Sequence, residues 1–566
     1  MYSETFRPPF ILIPKGGFLY FPPEFQAKYL KIHLLFSKEL DKVDRICSLA
    51  TWNLFPKRCE VFFMLGNRRS HFDYQTFLLS SLKDIYKTNP TIVEYYSASI
   101  EKLYILNLDD IKPLVSNTYS RIGKPSNQQP ELLRSYILMS DLGFHSISKW
   151  VKHLRAHDIL CNIVGVTKSD VPGLGTHYDF ISRFWGVSPE AEKSAKNSLH
   201  SFVSKPRKKL KKNEKLPPKH PGVIKNLVEQ ALKGRTVETR PEKMFQQIFA
   251  KLAVEPSAKL CLLGDAQKID ISGDGTCLET GGSSLGIKTC DCIKKGIFNC
   301  KCDRKFSDPD AKRGWDSYHE KWYNGHCLYF LSVYNSDLKK DLPIYFRMVQ
   351  AQRYDGVTAI FAISEVRKMY PLFNFDKFIA DAAHDNYPTY KLLNKWNIKA
   401  VISLNPKGEG KNKYEPPIGY TKDGIPICKC NQPMVYDWYD KGRSRIKYRC
   451  PLVKKRIIKC PCKEECSPSS YGRVVYVKPS DDLRLFTAIP RNTDMWKQIM
   501  KKRTSSERVN KRILEDYNME EAHCRGKKRW SWWTLIHSIN IHLDAQLSVL
   551  KNSILDILEL AVNKVS

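Results

Sequence analysis

No run of about 18 apolar residues occurs in the 566-residue chain, so no transmembrane helix is expected. The first residues, MYSETFRPPFILIPKGG, bring an acidic side chain early and prolines into the apolar part, which makes a poor signal peptide. Acidic residues are in short supply: 59 Asp and Glu face 92 Lys and Arg, for a net charge of +33. A chain this basic is expected to meet a polyanion. Its cations run over the whole length rather than forming one tail, which favours a long nucleic-acid footprint over a local targeting signal. No internal repeat is visible. Apolar residues are not scarce; at 42% hydrophobic and 11% aromatic, the composition is that of a folded protein, not a disordered one. The length is too great for one core, so several domains are expected. Seventeen cysteines in a chain without a secretory signature point to metal sites more than disulfides, and to the cytoplasm.

Residues 1–115 read as a helical region of unclear role, with EFQAKYLKIHLLFSKELDKVDRICSLATWNLF and DYQTFLLSSLKDIY helical by apolar spacing. Residues 116–203 read as an all-helical unit broken at Gly143, with Arg134, Lys149, Lys152, Arg155 and Arg183 on polar positions suited to DNA. Residues 204–240 form a basic, Pro-containing linker, whose first part, 204–222, is expected to be extended. Residues 241–405 alternate strands and helices in the order β-β-β-α-β-α-β, interrupted by a Cys-rich insertion at 277–305. A second Cys-rich insertion spans 406–490. A basic helix at 501–517 falls within the last part of the α/β domain, 491–545. An amphipathic helix for dimerisation or packing closes the chain at 546–566.

Three carboxylates fit one chemistry. KIDISGDGTCLETGG, from Lys268 to Gly282, reads as a short strand that stops at Asp274-Gly275-Thr276. Asp381 ends the strand KFIAD, and Glu507 sits on the late basic helix. In a three-strand meander followed by α-β-α-β, the first strand is central and the fourth pairs beside it. Their carboxylates can then approach, and a helix laid across the sheet can add a third. Hard divalent cations need clustered carboxylate oxygens, and two such cations can drive phosphodiester transfer. Singly, each residue is ordinary: an Asp at a strand end is commonly a turn former, and Glu507 can pair along its helix with Arg503 or Lys511. Asp270 and Asp385, each four residues away, are register alternatives. Gly275 favours Asp274 by freeing the backbone beside a ligand, and Asp381 directly ends the apolar strand.

With these segments in place the chain resembles the DDE transposases of bacterial insertion sequences, cut-and-paste enzymes with an RNase H-like catalytic domain. The likeness runs from about Gly123 to Ala545. GKPSNQQPELLRSYILM, SISKWVKHLRAHDILCNIVG and PGLGTHYDFISRF resemble the family's helical N-terminal domain. DISGDGT, FDKFIADAAHDNYPTYKLL and RTSSERVNKRI resemble the three segments that carry its acidic residues. The resemblance implies that Asp274, Asp381 and Glu507 ligate Mg²⁺ or Mn²⁺, with Arg503 in support on the same helical face. The family's Tyr-x2-Arg-x3-Glu-x6-Lys signature is only partly kept: Met500 replaces the Tyr and Leu514 the Lys, so Lys511 is the substitute that would grip phosphate. The resemblance further implies a homodimer working on double-stranded DNA, both the transposon's terminal inverted repeats and target DNA, in association with a bacterial nucleoid. The alternatives are a non-catalytic DNA-binding protein derived from a transposase, and an RNase H-like repair or recombination nuclease.

The cysteines form two groups. Cys290, Cys292, Cys300 and Cys302, in CDCIKKGIFNCKC, give a C-x-C-x7-C-x-C hairpin whose four thiolates suit tetrahedral, structural Zn²⁺. Cys428, Cys450, Cys462 and Cys466 form the second expected structural Zn²⁺ site, with Cys430 and Cys460 as competing ligands. In the same insertion, Tyr436, Trp438, Tyr439, Arg443 and Arg445 could stack on or grip DNA, or pack the subdomain. Near the end, Arg525, Lys527, Lys528 and Arg529 mix with Trp530, Trp532 and Trp533, yet the helix that follows reads as core, so buried tryptophans are expected. His537 and His542 do not share a helical face and are not expected to bind metal.

Overall fold

The computed structural model describes residues 69–119, 126, 128–201, 222–235, 240–405, 417–454, 466–491, 493–522, 524–550 and 553–563. The helices expected before residue 56, the run of basic residues at 205–215, and Cys460 and Cys462 lie outside these residues.

The helical part is built around burial. Helix α1 (His71–Thr88) starts at a capping box in which the Ser70 hydroxyl accepts from the Asp73 amide at 3.1 Å. Helix α2 (Gln129–Asp141) is buried along nearly its whole length. Arg134 was expected on a solvated basic face. It is instead 1% exposed, with its guanidinium 3.4 Å from the Tyr74 ring centroid and 3.7 Å from Glu131. Because α2 is covered on every side, its polar positions are not solvent positions. Helix α3 (Ile147–Ala156) keeps the expected division: Trp150 and Leu154 point inward while Lys149, Lys152 and Arg155 are exposed. Arg183 is exposed at the end of α4 (Leu174–Arg183). Helix α5 (Val223–Leu232) lies inside the expected linker. It follows the Lys- and Pro-rich stretch, and Val228 packs with Ile360 and Leu392, an apolar contact that stabilises the helix.

The sheet begins with β1 (Ile269–Glu279). The insertion follows, with the two-residue strands β2 (Ile287–Lys288) and β3 (Arg304–Lys305) and then β4 (Lys312–Asp316). Next come β5 (Lys321–Asn335), β6 (Lys340–Gln350), α6 (Asp355–Met369), β7 (Phe375–Ala380), α7 (Tyr387–Lys395) and β8 (Lys399–Ile402). The result is a mixed sheet in the order β6-β5-β1-β7-β8, with β4 pairing the first residues of β5. β1 runs antiparallel to β5 and parallel to β7, and β7 runs parallel to β8.

Strand β1 corrects the expectation that it stops at Asp274. It continues through Gly275 to Glu279, paired to β5 throughout. The glycines at 273 and 275 are fitting residues, not breakers. A Cβ on Gly273 would lie 2.2 Å from the Tyr329 hydroxyl, and one on Gly275 would lie 2.6 Å from Asp355 Oδ1.

After a second, three-stranded sheet of β9 (Val435–Asp440), β10 (Arg445–Arg449) and β11 (Val474–Val477), the chain returns to the main sheet. The expected basic helix at 501–517 is divided. Helix α8 (Asp494–Met500) passes through a 3₁₀ turn at Lys501–Arg503 into α9 (Thr504–Lys511), and a π-turn follows at Arg512–Asp516. Helix α9 packs against β1, β5 and β6, and Arg508 pins it there with two bonds to Asp341, at 2.6 and 2.7 Å.

Helix α10 (Lys527–Leu550) joins the two parts, running past the expected boundary at 546 and packing on both α2 and β6. Trp530, Trp532 and Trp533 are buried as expected, and Trp532 meets Tyr136 edge-on at 5.0 Å. His537 shares a hydrogen bond with the Ser140 hydroxyl, and His542 donates to the Pro343 carbonyl at 2.7 Å. Helix α11 (Ile554–Asn563) packs against α1 of its own chain. Among the described residues, no helix is long and apolar enough to cross a membrane.

One buried ion pair fixes the second insertion to the sheet: Arg484 donates to Asp385 at 2.8 and 2.6 Å, and both side chains are within 2% of full burial. Arg484→Ala should cost roughly 3–5 kcal/mol, because it strands the carboxylate, whereas Asp385→Leu with Arg484→Met should cost less. The midpoints of chemical denaturation of the three chains check this.

Candidate functional site

The parallel register of β1 and β7 sets Ser272 beside Ile379. Two residues further along each strand stand Asp274 and Asp381, so the central strands bring these carboxylates to one end of the sheet. Asp381 caps a 3₁₀ turn: it accepts from the Ala383 amide at 3.1 Å and pairs with His384 Nδ1 at 2.7 Å. His384 is fully buried, and its Nε2 is 3.0 Å from the Tyr329 hydroxyl. A buried relay therefore orients one carboxylate through an imidazole and a phenol.

A third carboxylate joins them. Asp355, the first residue of α6, lies over Gly275 and 3.8 Å from the Cys327 thiol. Burial, then the charges of Asp355 and Asp381, push the Asp274 carboxyl up to about 7. Burial also raises Asp355; His384 opposes that rise and Asp381 adds to it. Burial acts on Asp381 in the same sense, but the bond and charge of His384, the Ala383 amide and Arg503 hold that carboxyl below the usual value. The group is thus crowded negative charge in a partly dry setting, with oxygen donors only, the chemistry a hard divalent cation relieves. Among the described residues, no three of these carboxylates bring oxygens within 4.8 Å of one another.

The register alternatives are engaged elsewhere. Asp270 is paired with Lys377 at 2.8 Å and Lys502 at 3.0 Å. Asp385 binds Arg484, accepts from the Tyr390 hydroxyl at 3.0 Å and from the Asn405 amide at 2.8 Å.

Helix α9 crosses this end of the sheet. Glu507 is half-exposed and bound to Arg503 at 2.7 Å, and Arg503 in turn acts on Asp381. One turn on, Asn510 donates to Asp274 Oδ2 at 3.5 Å. Glu507 stands between Arg503 and Asn510 along the chain, with its carboxylate turned to Arg503. Lys511 does not complete the expected Arg503–Glu507–Lys511 stripe; it pairs with Glu515 at 3.5 Å.

The first cysteine group does close. Cys290, Cys292, Cys300 and Cys302 place all four sulfurs within 4.8 Å of one another, with Cys290–Cys300 and Cys292–Cys302 each at 3.6 Å. The pairing of β2 with β3 brings the two knuckles together, and Arg304 holds the base through bonds to the Leu285 and Cys300 carbonyls. The Cys292 amide, then Cys300, pull the Cys290 thiol down to about 7, while the hydrogen bonds of Cys302 and Cys290 push Cys292 up to about 12. Four sulfurs this close cannot all ionise without a cation, and the group could hold a metal such as zinc.

The second group is not drawn together among the described residues. Cys428 and Cys450 are buried in the small subdomain and Cys430 and Cys466 half-buried, but no three of them place sulfurs within 4.8 Å.

Two participants escaped the sequence. Asp355 carried no signal, because an Asp at a helix start is ordinarily there for the helix dipole. His384 was within reach: its spacing of three from Asp381 is that of a capped turn.

Two outcomes are expected. Cys292→Ser should lower the zinc content of the purified chain by about one ion, read by elemental mass spectrometry. The folded state holds the Asp274 proton more tightly than the unfolded state, so this group stabilises the fold fully below about pH 4, and the contribution is lost as pH rises through about 7. Without added divalent cation, denaturation between those pH values should show a steeper loss of stability in the wild type than in Asp274→Asn.

No family model matches the chain, and no curated protein matches it.

Proposed function

We propose that the chain is a DDE-type transposase that cuts DNA at insertion-sequence ends and joins the freed ends to target DNA. The observation that carries this reading is the convergence of Asp274 and Asp381 at one end of paired parallel strands, near Arg503 on the 3₁₀ turn and Glu507 on the helix that follows it. The strand order β6-β5-β1-β7-β8, with three antiparallel strands followed by two parallel ones, supports an RNase H-like domain. The charge of +33 and the exposed Lys149, Lys152 and Arg155 on α3 support a DNA partner.

In this reading Asp274, Asp381 and Glu507 would hold Mg²⁺ or Mn²⁺, which when bound activates the attacking oxygen and stabilises the leaving one. The protein's own contribution is placement. His384 and the Ala383 amide fix the Asp381 carboxylate, and Asn510 steadies Asp274. Arg503 holds Glu507 beside the site and would pass to a phosphate when Glu507 turns inward. The engagement of Glu507 by Arg503 also favours a second reading, a DNA-binding protein derived from a transposase.

Asp274→Asn and Asp381→Asn should each lower Mg²⁺-dependent cleavage of DNA carrying the gene's flanking inverted repeats by on the order of 10³-fold or more, while DNA binding stays unchanged. A gel assay that follows both cleavage and strand joining separates the readings: cutting without joining indicates a nuclease, and a wild type that binds but never cuts indicates the non-catalytic protein.

A further inference from the structure

The small sheet β9–β10–β11 has one covered and one open face. On β10, Ile446 and Tyr448 are buried in the subdomain core, so the alternating residues Arg445, Lys447 and Arg449 stand on the other side. A register shift between Lys447 and Tyr448 decides which aromatics join them. It leaves Tyr436 paired with Tyr448 and Tyr439 with Ile446, both packed on the core, and sets Trp438 beside Lys447. On the other flank Lys447 pairs with Tyr476.

The open face is therefore formed by Trp438 and Tyr476 on either side of Lys447, which is 13% exposed and donates to the Tyr471 hydroxyl at 2.7 Å. Trp438, Tyr471 and Tyr476 are 44%, 43% and 44% exposed. Each cation lies over a ring: Arg445 is 3.8 Å from the Tyr476 centroid, Arg449 is 3.4 Å from Tyr471, and Lys447 is 4.8 Å from Tyr471 and 5.7 Å from Trp438. Asp440 pairs with Arg445, and Asp437 with Lys447 and Lys454, which leaves cations in excess. Half-exposed rings gathered with guanidinium planes in one patch mark an interaction site. Flat rings bracketed by cations match a chain of unstacked bases linked by phosphates, with bases on the rings and phosphates on the cations.

We propose that this face binds single-stranded nucleic acid, with Trp438 and Tyr476 as stacking platforms and Arg445 and Arg449 as phosphate contacts. Of the residues expected from sequence to meet DNA, Tyr436 and Tyr439 are half-buried against the subdomain core and Arg443 lies in the β9–β10 turn. Duplex DNA, whose bases are already stacked, would engage only the cations. The proposal does not rest on the carboxylate site: Asp274→Asn should leave strand binding intact, whichever way the cleavage assay comes out.

Fluorescence anisotropy of the full chain with a labelled mixed-sequence oligonucleotide, and with its duplex, tests this. Trp438→Ala should weaken single-strand binding by roughly tenfold or more and leave duplex binding within about twofold. Arg449→Gln should weaken both and flatten the salt dependence, and Tyr436→Phe should change neither. Circular dichroism and melting curves establish that the exposed substitutions leave the fold intact. Unchanged single-strand affinity in folded Trp438→Ala, or an equal loss on duplex, would overturn the proposal.

Discussion

Everything near the carboxylates depends on the close approach of partners to strand β1. It is paired on both edges, antiparallel to β5 and parallel to β7. Two positions without side chains let the Tyr329 hydroxyl and the Asp355 carboxylate come down onto its backbone. Tyr329 then reaches His384, and His384 reaches Asp381, so the same vacated space that admits Asp355 also aligns the neighbouring strand's acid. A methyl group at either glycine would push these partners away and loosen the arrangement from below.

The electrostatic result is an uneven pair. Asp381 is supplied with an imidazole, an amide and a nearby guanidinium, and stays charged. Asp274 has a long hydrogen bond to Asn510 and two acidic neighbours. The opposite end of the same strands carries the reverse arrangement. There Asp270 and Asp376 share Lys377, with Lys502 and Lys399 at their outer sides. One end of the sheet is neutralised by its own lysines and the other is left with unbalanced negative charge. That contrast sets an ion network neutralised from within against a group of carboxylates that raise one another's proton affinity.

Apolar runs long enough to declare themselves were legible: the meander, helices α6 and α7, and the burial of the tryptophans on α10. The C-x-C-x7-C-x-C spacing also announced its geometry. What escaped depended on distant packing. Helix α5 is the exception: Ile224, Leu227, Val228, Ala231 and Leu232 stand at helical spacing and pack together on Ile360 and Leu392, a local signal that went unread. Arg134 was misread because amphipathic spacing presumes one wet face, and α2 has none. Strand β1 was cut short because glycine was taken as a stop, whereas here it marks where other chains of atoms approach. Asp355 reaches the site by the return of the chain after β6, a topological fact. For Glu507, spacing offered both Arg503 and Lys511 as partners, and which of the two it takes is a matter of side-chain rotation.

The four-cysteine knot has a bearing on how the sheet assembles. It sits inside the excursion that separates β1 from its neighbour β5, a stretch of roughly forty residues whose ends must meet before the ladder can zip. Cinching the excursion at its middle, with β2 and β3 at the throat, turns one long search into shorter ones. A cation held by the four sulfurs would shorten the loop whose closure precedes the pairing of β1 with β5, so metal binding and the register of the central strands would be linked.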